Sequence, residues 1–380
     1  MRVPLAWLNL VHEKSRLLAA IAGVGFAVLL VFMNLGFLGA LAKSATVFYN
    51  EFNADIYLVS PLSLEISTTR AFPRERLYQA EGIPGVERAM PLYMGYRQWR
   101  NPETLVNRAV YIFAFNLNDP AFLLPELQDP EVLFELRRPE SVLMDRLSRP
   151  EFGPQTPGTE TVMSYDRVSI VGNYSLGGGF AADGTLITSD LNFRRFFDPI
   201  PLSLVNLGLI KLEPGADLKQ VQTALQEVLP KDVLVYSKAE LVNRDRTYWI
   251  TSTSTGFIFG MGVVVSCIVG VVVVYQILYT DISNHMKQYA TLKAMGYRSG
   301  YLCNVIIQEA IILAVLSYIP GLIISVGLYA FVTQATSGSL PVAMEVDRAI
   351  YVLLLTVGIC IISGLVSIRK VITAEPVELF

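Results

Sequence analysis

Four charge-free stretches long enough to cross a bilayer occur in this chain, and they are unevenly spaced. Arg16 and Lys43 enclose 26 uncharged residues, Arg246 and Asp281 enclose 34, Glu309 and Glu345 enclose 35, and Arg348 and Arg369 enclose 20. A helix of about 20 apolar residues covers the hydrocarbon of a membrane, so each stretch can span. The spans divide 1 + 3, and the interval from 43 to 252 reads as an ordinary globular segment between the first and the second.

Composition agrees with this division. The 380 residues are 52% hydrophobic and 17% charged, against about 25% charged in soluble domains. The formal net charge of −3 gives no footprint for nucleic acid. The three cysteines, Cys267, Cys303 and Cys360, all lie in or at the edge of apolar runs and read as apolar filler, so the 43–252 interval has no disulfide. The first run ends in Ala40-Leu41-Ala42, a cleavage-like string, but it is about twice the length of a secretory h-region. An uncleaved first helix is expected.

The short segments set the orientation. Arg2, Lys14 and Arg16 precede the first span, Lys287, Lys293 and Arg298 lie between the second and third, and Arg369 and Lys370 follow the fourth. Both termini and the 281–302 loop are therefore expected in the cytoplasm, with 43–252 and the 334–347 loop outside. Before the first span, residues 1–16 read as an amphipathic helix lying in the inner interface, with Trp7 as its anchor at headgroup level. The remaining boundaries expected are spans at 17–42, 253–280, 303–333 and 348–368, and a cytoplasmic tail at 369–380.

Within 43–252 a pattern occurs twice. Asp55–Ser60 alternates like a strand, Arg74–Gly82 reads as a short helix after Pro73, and a second strand comes after Ile83-Pro84. Later, 204–214 is a strand, 217–228 an amphipathic helix opened by Asp217, and 229–237 a strand after Leu229-Pro230. Two split βαβ units make a ferredoxin-like sheet. The segment 98–203 reads as an inserted β-rich lobe. The flanks 43–53 and 237–252 look helical and would form a stalk. The fold class expected is an α-helical membrane protein with an extracytoplasmic α+β domain.

Candidate chemistry is sparse. The only histidines are His12 and His285, neither at a metal-ligand spacing, and no catalytic, metal or cofactor site is expected. The Gly177–Gly179 run does not join a strand to a helix as a phosphate loop requires and reads as a turn. Gly260 and Gly262 suit close helix packing. Glu309, near the inner end of the third span, reads as a solvated or paired carboxylate, with a proton relay as the other reading. Pro320-Gly321 suits a kink or a packing point.

The sharpest string is Asp281–Ala310, DISNHMKQYATLKAMGYRSGYLCNVIIQEA. It resembles the coupling-helix region of the FtsX/MacB-type (type VII) ABC transporter permeases: a charged helix, an lkAlG-like string at Leu292–Gly296, a small polar turn, and an apolar span beginning near Glu309. Gly296 suits a left-handed helix C-cap. The ending IRKVITAEPVELF is similar to that family's, and the opening 4–37 and FNADIYLVSP resemble its DevC subfamily, known from cyanobacteria.

That resemblance implies a permease homodimer, in an inner membrane, carrying two copies of a separate ABC ATPase. The ATP and magnesium would be bound by that partner, because the chain starts too close to its first span to include a nucleotide-binding domain. It implies ATPase coupling at Met286, Lys287, Tyr289, Ala290, Lys293, Ala294, Met295 and Gly296. Of these, Met286, Tyr289, Ala290 and Lys293 share one helix face by spacing. That face would dock on the ATPase or pack on the spans' own inner ends. The resemblance further implies porter-like segments at 54–97 and 204–237, a periplasmic membrane-fusion adaptor, and a TolC-like outer-membrane duct. The substrate stays open among glycolipid, peptide and drug. A lipoprotein-extracting permease, an FtsX-like regulator and a membrane-anchored sensor are the other functional readings.

Overall fold

The first apolar run forms a single helix, α1 (Lys14–Ser44). The structure, a computed structural model, describes residues 14–177, 182–286, 288, 291, 295, 297, 299–336 and 342–373. Trp7 and most of the expected interfacial helix lie outside the described residues, while Lys14–Arg16 belong to α1 itself. The described residues fall into two units. One draws on Met1–Gly39, Ser254–Val332 and Val342–Phe380, and the other on Ala40–Thr253 and Thr333–Pro341.

The second unit is α+β. A short turn after α1 leads to α2 (Phe48–Glu51) and then β1 (Ile56–Val59), β2 (Phe72–Pro73) and α3 (Glu75–Glu81). The long strand β3 (Val86–Arg100) turns back into β4 (Asn107–Phe115). The inserted segment contributes α4 (Pro130–Leu136), β5 (Ser141–Asp145), β6 (Glu160–Met163), β7 (Asp166–Tyr174), β8 (Thr185–Ser189) and α5 (Asp190–Phe196). The chain then returns through β9 (Leu204–Val205), β10 (Leu207–Leu212), α6 (Leu218–Val228), β11 (Leu234–Ser237) and α7 (Lys238–Thr251).

Nine of these strands form one sheet in the order β11-β1-β10-β3-β4-β8-β5-β7-β6. The first four are mutually antiparallel neighbours, which is the order of two interleaved split βαβ units. The expected ferredoxin-like core is therefore present, with α3 and α6 as its two crossover helices. Asp217 caps α6 by accepting from the Lys219 and Gln220 amides at 2.9 and 3.0 Å, and Ser237 with Glu240 forms a reciprocal capping box on α7.

The inserted strands do not stand apart. They continue the same sheet beyond β3, and β6 then comes back to β3 through the Trp99–Met163 pair. The Ser164 amide donates to the Gln98 carbonyl at 2.7 Å beside it. Six strands, β3-β4-β8-β5-β7-β6, thus close on themselves. The closure is plugged from within: Trp99 is fully buried, and its indole N–H donates to the Phe152 carbonyl at 3.0 Å.

Alternation along the strands assigns side chains to two cores. Ile56, Leu58, Val110, Ile112 and Ala114 enter one, while Tyr57, Val59, Tyr111, Phe113 and Phe115 enter the other. Both faces of β1 are covered, so all four of its residues are buried. Such a strand loses the apolar–polar contrast of a half-exposed one.

After a break at Ser252 and Thr253, the chain enters α8 (Ser254–Asn284). Then come α9 (Ser299–Ala335) and α10 (Val346–Thr373). With α1 these are four helices long and apolar enough to cross a membrane. Lipid offers no hydrophobic drive for helices to associate, so close backbone approach and interhelical hydrogen bonds carry the packing. A side chain on Gly321 would press on the Gly25 carbonyl and Val28 at 3.0 and 2.8 Å. Pro320-Gly321 is therefore a packing point inside a continuous α9. Asn34 Nδ2 reaches Ser266 Oγ at 3.4 Å, Ser363 Oγ donates to the Val271 carbonyl at 3.0 Å, and the Tyr318 hydroxyl donates to the Ala349 carbonyl at 2.9 Å. These staples join α1 to α8, α10 to α8 and α9 to α10. Asn34 also lies against Gly262, where a side chain would collide with it, while Gly260 meets nothing within 4 Å.

Candidate coupling site

The segment between α8 and α9 is where sequence placed the ATPase contacts. Of the eight residues named, Lys287, Tyr289, Ala290, Lys293, Ala294 and Gly296 lie outside the described residues. The other two are oppositely placed: Met286 is buried within the chain, and Met295 is exposed. Tyr297 and Tyr301 are also exposed, with ring centroids 5.1 Å apart. The described part of the loop thus offers an apolar and aromatic surface at its C-terminal end.

Above the loop lies a buried ionic cluster that sequence reasoning missed. Arg16 at the start of α1 pairs with Asp281 on α8, Nη1 to Oδ1 3.6 Å. Asp281 has His285 one turn on, with Nδ1 3.0 Å from the Asp281 carbonyl oxygen and 3.7 Å from its carboxylate. Asp281 and His285 are each 7% exposed, and Glu309, on α9, is fully buried, so it is not the solvated carboxylate that its place near a span end suggested. Arg16, Asp281 and Glu309 had marked the limits of charge-free runs, and their spacing along the chain hides that Arg16 and Asp281 meet. The one local signal was the i, i+4 spacing of Asp281 and His285 on a helix.

The physical effect of the pair is to tie the first and second spans at the point where the loop begins. Glycine accounts for part of the turn at 177, where φ is +81° and the amide donates to Asp145 Oδ2 at 2.7 Å. That amide serves the fold, and Gly178, Gly179 and Phe180 lie outside the described residues. Among the described residues no group of three or more His, Cys, Asp or Glu side chains could hold a metal.

Residues 256–376 match the family model described as FtsX-like permease C-terminal. That stretch is similar to an FtsX-like permease domain. The match takes in nearly all of α8, the loop, α9 and the whole of α10, and so includes Asp281, His285 and Glu309. Among solved structures, the chain is similar to the periplasmic region of MacB from Actinobacillus actinomycetemcomitans, at 8% identity over 50% of this chain and 91% of that one, with a TM-score of 0.36. It is also similar to the extracellular domain of the noncanonic ABC-type transporter YknZ from Gram-positive bacteria, at 12% identity over 49% of this chain and 100% of that one, TM-score 0.33. No curated protein sequence matches it.

Proposed function

We propose that this chain is the permease subunit of a tripartite ABC exporter, of the DevC-like kind. The observation that carries the reading is an FtsX-like permease domain joined to a further span and a large α+β unit in one chain. In this reading the chain works as a homodimer in a bacterial inner membrane, with the α+β unit in the periplasm. Two copies of a separate ATPase dock on the 281–302 loop, and nucleotide chemistry stays on that partner. The spans and helical flanks convey the motion to the α+β unit, which works with a membrane-fusion adaptor and a TolC-like duct. The substrate, a glycolipid on the DevC resemblance, is taken from the periplasmic side.

Charge reversal at Lys293, or Gly296→Pro, tests the loop. Assembly with the ATPase, or its stimulated turnover, should fall while membrane insertion survives. Unchanged turnover would overturn the loop assignment. Co-purification after mild solubilisation tests the whole reading: recovery of the chain alone, with neither ATPase nor adaptor, counts against it.

A further inference from the structure

The chain enters the α+β unit at Ala40 and leaves it at Thr253. Segments lying just inside those two points meet at one buried carboxylate. Asp245, on α7, is fully buried. Its Oδ2 accepts from the Tyr49 hydroxyl on α2 at 2.5 Å and from the Ile66 amide at 3.0 Å. Its Oδ1 receives no hydrogen bond from the described residues and has Arg244 Nε 3.8 Å away.

The surroundings are crowded with polar groups already engaged. Arg244 donates to the Ser63 and Leu64 carbonyls and lies over the Tyr236 ring. Glu65, 2% exposed, accepts from the Ser67 amide at 2.8 Å and from the Trp249 indole at 3.3 Å. From β4, the Tyr111 hydroxyl donates to the Ile66 carbonyl at 2.6 Å. The titratable and charged groups around Asp245 are therefore Tyr49 from α2, Arg244 from its own helix, Glu65 from the loop after β1, and Tyr111 from the sheet.

An ionised carboxylate needs donors on both oxygens, and burial without them disfavours the charge. Here one oxygen is satisfied and the other is sealed off, with a second acid close by. We propose that Asp245 is a proton-sensitive pin that fastens α2 and the 63–66 loop to α7. The joined segments are held more firmly when Asp245 is protonated, because burial then carries no charge; the Tyr49 and Ile66 bonds favour the carboxylate and offset only part of that burial cost. Burial pushes the Asp245 carboxyl up to about 6, Glu65 adds to the rise, and the Tyr49 hydrogen bond and the Arg244 charge restrain it.

A carboxyl raised above its unfolded value contributes stability that is complete below that value, about 4. The contribution is lost as pH rises through about 6. The junction between the entering and leaving segments is therefore tighter in an acidic compartment. The pin does not depend on the transport reading and needs no partner for its test.

Hydrogen–deuterium exchange on the full chain in detergent, corrected for intrinsic rates, reads the pin directly. Between about pH 5 and pH 7.5, protection in peptides covering 45–51, 63–68 and 241–249 should fall on the order of tenfold, with a midpoint near 6. Asp245→Asn should flatten that profile. Tyr49→Phe should move the midpoint up, since it removes one of the effects that restrain the carboxyl. Identical profiles for wild type and Asp245→Asn, or a Tyr49→Phe midpoint that stays or falls, would overturn the proposal. Should Asp245→Asn fail to fold, Tyr49→Phe decides it.

Discussion

Tyr329 occupies the space that a side chain on Gly36 would need. Its hydroxyl donates to the Phe32 carbonyl, one turn earlier on α1, and the ring edge lies against the Gly36 Cα. The first and third spans can come this close only because position 36 has no side chain. Overpacking a close helix contact costs about 1–3 kcal/mol. Gly36→Ala should therefore lower the thermal midpoint of the detergent-solubilised chain, and Tyr329→Ala in the same molecule should recover part of the loss. A Gly36→Ala protein as stable as wild type would show that the contact yields freely.

The Arg16–Asp281 pair makes a second test. Arg16→Ala removes one partner of the buried Asp281, with an expected cost of about 1–3 kcal/mol. Exchanging the two, Arg16→Asp with Asp281→Arg, should restore part of the stability that either single change removes. Strict additivity of the two single effects in a thermal-melt cycle would argue that they do not interact.

Trp99 is placed to report on closure of the inserted strands. Trp99→Phe keeps most of the buried ring but leaves the Phe152 carbonyl without its donor, a loss of about 1–3 kcal/mol. Trp99→Ala should cost about 3–5 kcal/mol. Hydrogen exchange should rise first in β6 and β7, the strands that the Trp99–Met163 bridge brings back to β3. Uniform loosening of the whole unit would mean that the closed lobe does not open by itself.

Asp145 is a buried carboxylate with a structural task. It accepts from the Leu147, Leu176 and Gly177 amides and from Thr185 Oγ1. Burial raises its pKa, and those donors pull the other way. Asp145→Ala would leave three amides without their acceptor, at about 1–3 kcal/mol for each that water cannot reach. The variant should fail to accumulate, or melt far below wild type. Normal expression and melting would mean that water replaces the carboxylate.

Much of the core was readable residue by residue. The strand–helix–strand units came from alternation and from local stops such as Asp217, whose side chain caps the helix it precedes. Local signals suffice there, because a cap and a two-residue period are properties of neighbouring residues. The lobe was readable only as β-rich. Its strand order, with β8 parallel to β4 and antiparallel to β5, depends on pairings between distant segments. Nothing in the residues around Met163 names Trp99 as its partner.

The 281–302 loop stood out in the sequence through a resemblance string, and the Arg16–Asp281 pair at its start did not. The flank 237–252, with Asn-Arg-Asp-Arg at 243–246, likewise reads in sequence only as helical. In the fold, Asp245 is fully buried while its neighbour Arg244 holds a loop. Sequence alone located the four segments long and apolar enough to cross a membrane, because a bilayer asks only for length and the absence of charge. It also determined the βαβ units, through local periodicity. Tertiary structure alone decided which polar residues are buried and whom they meet. A buried charge or hydroxyl must find its partner in space, and here those partners come from segments as far apart as Tyr49 and Asp245.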